Sequence, residues 1–206
     1  MTDQVDGTQG YAAEADELFV RYESLPAETV HRAVLHLMPK PPARVLDIGA
    51  GTGRDAAWFA SLGHEVVAVE PTDTMRSRAI ALHPSPAITW LDDALPDLPL
   101  LRLRRQQFDL VMLTAVFMHL DTDERSRAMP HLAAQLAPDG TLIMRLRHGP
   151  VPPGRRMFEI PADEMIALAS AHGLTAVFER HSEATGAQNR AEGVTWTTLA
   201  FVKRPL

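Results

Sequence analysis

The chain has 206 residues, 46% of them hydrophobic, which is enough for one complete core and short for two. It has no cysteine, so disulfides, thiolate metal sites, iron–sulfur radical chemistry and cysteine nucleophiles are excluded. A net charge of −6 argues against a nucleic-acid partner, because binding to a phosphate backbone draws most of its affinity from lysine and arginine.

No apolar run reaches the roughly 18 to 20 residues of a membrane span, and the polar N-terminal stretch lacks the charged-then-apolar pattern of a secretory signal. The expectation is a soluble, cytoplasmic protein with no membrane partner. No linker, repeat or low-complexity tract divides the sequence, so a single domain over residues 1–206 is expected.

From the N-terminus, Tyr11 to Tyr22 carries Leu18, Phe19 and Tyr22 at helical spacing. Pro26 to Met38 repeats the pattern with Val30, Val34, Leu35 and Met38. Residues 1–39 therefore read as a helical lid ahead of a core over 40–206, the two separated by Pro39, Pro41 and Pro42. Val45, Leu46 and Ile48 then form a strand covered on both faces, which makes Asp47 at its carboxyl end costly to bury without a partner. Gly49, Gly51 and Gly53 follow, removing side chains where the chain turns sharply and where backbone N–H groups can approach a ligand.

Arg54 to Leu62 is the next helix, with Ala56, Ala57, Phe59 and Ala60 facing the sheet. Residues 65–70 form a second apolar strand ending in Glu70, Asp73 to Leu82 a helix, and Ile88 to Leu91 a third strand running into Asp92, Asp93 and Ala94. Arg102, Arg104 and Arg105 sit on a solvated short helix or loop, and Phe108 to Thr114 is a fourth strand. Thr122 is a candidate N-cap for a helix to Leu136 that Pro130 kinks or divides and that Pro138-Asp139-Gly140 stops. Thr141 to Arg147 is strand five and Ala162 to His172 a helix closed by Gly173. Residues 175–182 and 195–203 are two last strands with no helix between them, pairing as an antiparallel edge hairpin. This is an α/β pattern: a Rossmann-like, doubly wound, seven-stranded and mostly parallel sheet with helices on both faces and ligands at the strands' carboxyl ends.

A dinucleotide fingerprint wants Gly-x-Gly-x-x-Gly, and here Arg54 stands where its last glycine belongs. The run Asp47-x-Gly49-x-Gly51-x-Gly53 instead resembles the first motif of the class I S-adenosylmethionine-dependent methyltransferases. The acids after the second and third strands and the C-terminal antiparallel pair follow in the family's order. The resemblance covers residues 40 to 204. It implies S-adenosyl-L-methionine as cofactor, held by Asp47, Gly49, Gly51 and Gly53, with Glu70 on the ribose hydroxyls and Asp93 and Ala94 at the adenine. Asp92 is the solvated neighbour, the two roles exchanging on a one-residue slip. Thr114 ends the central strand, which in the family lies under the methyl-donor sulfur. The Asn/Asp-Pro-Pro-aromatic signature of DNA amino-methylation is absent from Thr114-Ala-Val-Phe-Met-His119.

Methyl transfer is an in-line displacement that gains most from alignment and exclusion of water, so a dedicated base is optional. His119, just past the fourth strand, is the candidate base for a hydroxyl or protonated amine, and a packing role is its alternative. Tyr11, Arg145, Arg147 and Arg155 are candidate substrate-binding residues. Arg145 and Arg147 share one face of an apolar strand, and an anionic acceptor group would match them. No metal is expected, because Asp121 and Asp123 sit where helix capping accounts for them. The function expected is transfer to a small-molecule acceptor. The alternatives are a non-catalytic cofactor-binding or regulatory protein and, against the Arg54 evidence, a nicotinamide oxidoreductase.

Overall fold

The computed structural model describes residues 5–204, so the two ends of the expected 1–206 domain, residues 1–4 and 205–206, lie outside the described residues. Helices α1 (Ala15–Glu23) and α2 (Ala27–His31) and a 3-10 turn (Leu35–Leu37) precede the sheet. There follow β1 (Arg44–Ile48), α3 (Arg54–Ser61), β2 (Glu65–Val69), α4 (Asp73–Leu82), β3 (Ile88–Leu91), α5 (Pro99–Leu103) and β4 (Phe108–Thr114). A second 3-10 turn (Phe117–His119) leads into α6 (Thr122–Gln135), β5 (Leu136–His148), α7 (Ala162–Ala171), β6 (Leu174–Glu183), α8 (Ala187–Ala191) and β7 (Thr195–Lys203). Among the described residues, no helix is long and apolar enough to cross a membrane.

The seven strands form one sheet in the order β3-β2-β1-β4-β5-β7-β6. Pairing is parallel from β3 to β5, while β7 runs antiparallel to both β5 and β6. The inserted β7 separates this sheet from the plain dinucleotide-binding order. Alternate residues of the central strands feed two cores, as a strand's period of two requires. Leu46, Val67, Val111, Leu142 and Met144 pack toward Met129 and Leu132 of α6 and Met165 of α7. Val45, Val66, Leu110, Met112 and Ile143 pack toward Ala56 and Phe59 of α3. Asp47 has the parity of Val45 and so faces the α3 side at the strand's carboxyl end.

Several elements depart from the sequence reading. The first helix starts at Ala15, not Tyr11, because the chain before it turns through Gly7 and Gly10 at φ +89° and +81°. The segment expected as one helix over 26–38 breaks after His31: i to i+3 bonds from the Val34 and Leu37 amides tighten it, and Met38 is extended ahead of Pro39. Asp121, not Thr122, caps α6, through a capping box with Glu124. Pro130 is held inside that one helix, and Pro138-Asp139-Gly140 lies within β5, which already begins at Leu136. The short α8 stands between the last two strands, where none was expected. The arginines of residues 102–105 are exposed on α5 and the turn after it, as read.

Candidate functional site

The carboxyl ends of β1, β2, β4 and β5 open into a cleft of about 280 Å³, closed on one side by residues 5–25. A larger but shallow depression of about 470 Å³ at the strands' amino ends is lined by Pro39, Pro42, Asp109 and Pro138. It holds none of the strand-end acids, so the chemistry belongs to the first cleft.

The glycine turn is built in two ways. A Cβ on Gly49 would lie 2.4 Å from Val116 Cγ2, so the protein's own packing requires glycine there. A Cβ on Gly51 would meet nothing nearer than the Gly49 carbonyl at 3.9 Å, and the backbone sits at φ +57°. The space beside Gly51 is therefore open to a ligand. Gly53 ends the turn against Trp90, 2.9 Å from a Cβ built there.

Asp47 is 2% exposed, and its Oδ2 has no hydrogen-bond partner among the described residues. Burial, with the negative charges of Asp55 and Glu70, holds its carboxyl well above the usual carboxylate range, and Arg54 opposes them. Asp47 lines the cleft, so a buried carboxyl with an oxygen that has no partner among the described residues stands in its wall, and such a group calls for a donor. Glu70 is better satisfied: it accepts from the Gly51 amide at 2.9 Å and the Thr72 amide at 2.8 Å. Burial still raises its pKa, the two amides acting against that. Each of its oxygens keeps a lone pair for a hydroxyl.

Asp93 lines the cleft, whereas Asp92 turns outward to Arg76 at 3.1 Å. The Asp93 carboxylate accepts from the Ala94 amide at 3.0 Å and from the Leu101 amide at 2.7 Å, which ties it to the first turn of α5. Thr114 also lines the cleft, and its hydroxyl donates to Asp55 Oδ2 at 3.1 Å.

Asp55 and His31 were missed by the sequence reading. Asp55 is buried in the first turn of α3, where it accepts from His31 Nε2 at 2.7 Å and from Arg54 Nε at 2.8 Å. Burial alone would raise its pKa, yet His31 and Arg54 together hold it below the carboxylate range. Arg54 NH1 reaches on to the Tyr22 carbonyl at 3.2 Å, so the group links the glycine turn to the N-terminal helix. The only local signal was an acid placed at a helix N-terminus.

His119 is 7% exposed and bonded at both nitrogens. Nδ1 lies 2.8 Å from the Arg156 carbonyl, which can only accept, so Nδ1 carries the proton and Nε2 accepts from the Tyr11 hydroxyl at 3.0 Å. Burial depresses the His119 pKa, with Arg155, Arg156 and Arg147 pushing the same way. Burial raises that of Tyr11. The pair is thus neutral, with the Tyr11 proton directed at an imidazole lone pair.

The expected substrate arginines separate. Arg155 donates to the Gln9 carbonyl at 2.7 Å and to Glu14 at 2.6 Å, and its guanidinium covers the Tyr11 ring at 3.9 Å. Arg145 lies 4.3 Å over the Trp196 ring and makes no ion pair among the described residues. Among the described residues, Arg147 donates only to the Pro150 carbonyl, at 2.9 Å. Both line the cleft, as does Arg21 of α1, which the sequence marks only as a polar tip of the N-terminal helix and not as a substrate contact.

A family model described as a methyltransferase domain matches residues 46–144. An uncharacterized methyltransferase of Oceanobacillus iheyensis is 27% identical over 176 residues, 84% of this chain and 72% of that protein. Another, from Bacillus pumilus, is 28% identical over 67% of this chain, which spans 59% of its length. Among solved structures, the 1,6-didemethyltoxoflavin-N1-methyltransferase of Burkholderia thailandensis, with bound S-adenosylhomocysteine, has a TM-score of 0.74 at 21% identity, over 95% of this chain and 86% of that one. The N-methyltransferase NodS of Bradyrhizobium japonicum, also with S-adenosylhomocysteine, has 0.72 at 16% identity, over 94% and 98%.

Proposed function

We propose, for a chain that belongs to the class I S-adenosylmethionine-dependent methyltransferase superfamily, that it moves a methyl group from S-adenosyl-L-methionine to a small-molecule acceptor within the single cleft described above. The observation that carries this reading is the open glycine turn flanked by Asp47, whose buried Oδ2 lacks a partner, and Glu70. S-adenosylmethionine supplies an electrophilic methyl on a positively charged sulfur.

Gly49, Gly51 and Gly53 with Asp47 would hold the donor at the turn. Glu70 would accept from the ribose, and Asp93 and Ala94 would flank the adenine, while Thr114 supports the floor of the site through Asp55. Tyr11 would face the acceptor. As the acceptor's nucleophilic atom takes the methyl, its proton passes to the Tyr11 oxygen and the Tyr11 proton passes to His119 Nε2, so His119 is the final base. Arg155 would serve the acceptor indirectly, by covering the Tyr11 ring. Residues 1–39 would act as the lid, its described part meeting the core through Tyr11, Glu14 and Arg21. A cytoplasmic location fits the absence of cysteine and of any membrane-spanning helix among the described residues.

The test is isothermal titration with S-adenosylhomocysteine and with NAD, followed by a methyl-transfer screen over hydroxyl, amine and thiol acceptors. Binding of S-adenosylhomocysteine alone, with transfer to at least one acceptor, is the expected result. Binding with no transfer across a broad panel would favour a non-catalytic role.

A further inference from the structure

Among the described residues, seven arginines, Arg54, Arg76, Arg78, Arg125, Arg127, Arg155 and Arg156, make ion pairs with carboxylates. Arg21, Arg145 and Arg147 do not, among the described residues, although acids outnumber Lys and Arg by 26 to 20 and all three are half-buried in the cleft wall. Glu192 acts on Arg147, and Asp55 on Arg145, from beyond ion-pair distance. Asp55 is in any case already engaged by His31 and Arg54. Burial pushes the Arg145 pKa down to about 10, with Arg54 adding to the effect, which is the mark of a desolvated cation lacking compensation. Arg21 donates to the Asn189 side chain, a neutral partner.

We propose, on the methyl-transfer reading above, that this wall recognises an oxyanion of the acceptor, a carboxylate or phosphate group, with Arg145 and Arg147 as its donors and Arg21 closing over it from the lid. The Trp196 ring lies 4.3 Å from the Arg145 guanidinium carbon, and among the described residues the N–H groups of that fork have no hydrogen-bond partner to compete with an oxyanion. The methionine carboxylate of the donor is the rival anion. Against it stands the sheet order: β5 is two strands from β1, roughly 10 Å at a spacing of about 4.8 Å per strand. The donor cradle lies on β1, β2 and the turn after β3, so the β5 arginines address what lies beyond the methyl group.

The experiment uses protein saturated with S-adenosylhomocysteine and titrates matched pairs: benzoate against benzamide, and phenyl phosphate against phenol. One anion is expected to bind at least about tenfold more tightly than its neutral partner, and which one does so identifies the group. Arg145→Gln and Arg147→Gln should each remove most of that difference while S-adenosylhomocysteine affinity stays within about twofold. Arg145→Lys, which keeps the charge, should retain part of the preference, and melting curves establish that each variant is folded. Equal binding of anion and neutral partner overturns the proposal, as does a preference that survives both glutamine substitutions. A folded variant that loses S-adenosylhomocysteine affinity overturns it too, by giving the arginines to the donor carboxylate. Anion preference in a protein that methylates no acid or phosphate ester would sink the catalytic reading and leave the oxyanion site standing.

Discussion

Where β1, β2 and β3 end, the cleft wall is acidic, and two of its three carboxylates are already clasped by backbone amides. Where β5 and β7 face the same cleft, the wall is basic, and its guanidiniums rest on an aromatic ring or a carbonyl without a counter-charge. In the one half Glu70 and Asp93 are preorganised by the chain's own amides, whereas Asp47 Oδ2 there and the Arg145 fork of the other half lack a hydrogen-bonding counterpart among the described residues. The Tyr11–His119 pair lies in the same cleft and is held neutral by burial. On the oxyanion proposal, that contrast would let one cleft sort two reactants by charge, a sulfonium donor to the acidic side and an anionic acceptor to the basic side.

The largest effect should come from breaking the acidic half at its most open point. Gly51→Val places a branched side chain where only ligand space exists and forces it into the left-handed region, at about 1–2 kcal/mol for the backbone alone. Calorimetric binding of S-adenosylhomocysteine should fall below detection in a protein that still melts cooperatively. Retained binding would mean that the donor does not approach this turn.

The Tyr11–His119 pair in the same cleft comes next. Tyr11→Phe and His119→Gln should each lower kcat about a hundredfold, the lower range for a general base, with donor affinity unchanged. Because the His119 pKa is depressed, the base form persists below the ordinary imidazole value, so wild-type kcat/KM should fall only as pH drops under about 6.5. Stability has the same sign. The unfolded chain binds this proton more readily than the folded one, so stability is complete above about 6.5 and declines as pH falls through the folded value. A rate that keeps falling with acid in Tyr11→Phe, just as in wild type, would remove the relay.

Glu70→Ala should have a smaller effect, on the order of 1.5–3 kcal/mol of donor affinity, or roughly tenfold to a hundredfold. It removes the ribose acceptor and also frees the Gly51 and Thr72 amides that hold the turn. Arg145→Gln in the same titration should leave the affinity alone. If the two variants lose affinity equally, the division of the cleft by charge fails.

The acids of the first half were legible because each ends an apolar strand, where a charge stands out against its neighbours. Arg145 and Arg147 were legible for the same reason, spaced two apart on β5. The partners of these groups were not. Tyr11 and His119 are 108 positions apart, His31 and Asp55 are 24 apart, and Arg155 meets Glu14 across 141 positions, so no local pattern announces them. Arg21 was legible as a polar tip of the N-terminal helix but not as part of the cleft wall, since periodicity shows that a face is polar but not what it faces. The break after His31 escaped for a related reason: a regular apolar spacing from Val30 to Met38 cannot show that His31 must turn inward to Asp55. The inserted β7 was read only as an edge hairpin, because pairing with β5 depends on the whole sheet.

The smallest predicted effect concerns the element that covers both halves. Arg155 is nearly buried, while its partner Glu14 is 44% exposed, so screening by solvent reduces the worth of that ion pair. The bond to the Gln9 carbonyl and the stacking on Tyr11 are the better protected contacts. Removing them with Arg155→Gln should loosen residues 5–25 by about 1 kcal/mol, roughly fivefold in the open population. When opening is fast relative to cleavage, limited proteolysis reads that population. Cutting within residues 5–25 should therefore be about fivefold faster in the variant without ligand. S-adenosylhomocysteine should slow cutting in both proteins if the segment closes over a loaded site. Equal rates with and without ligand in wild type would make these residues a fixed wall of the cleft. Closure would then contribute nothing to excluding water, and the basic half would be as open to solvent during transfer as before it.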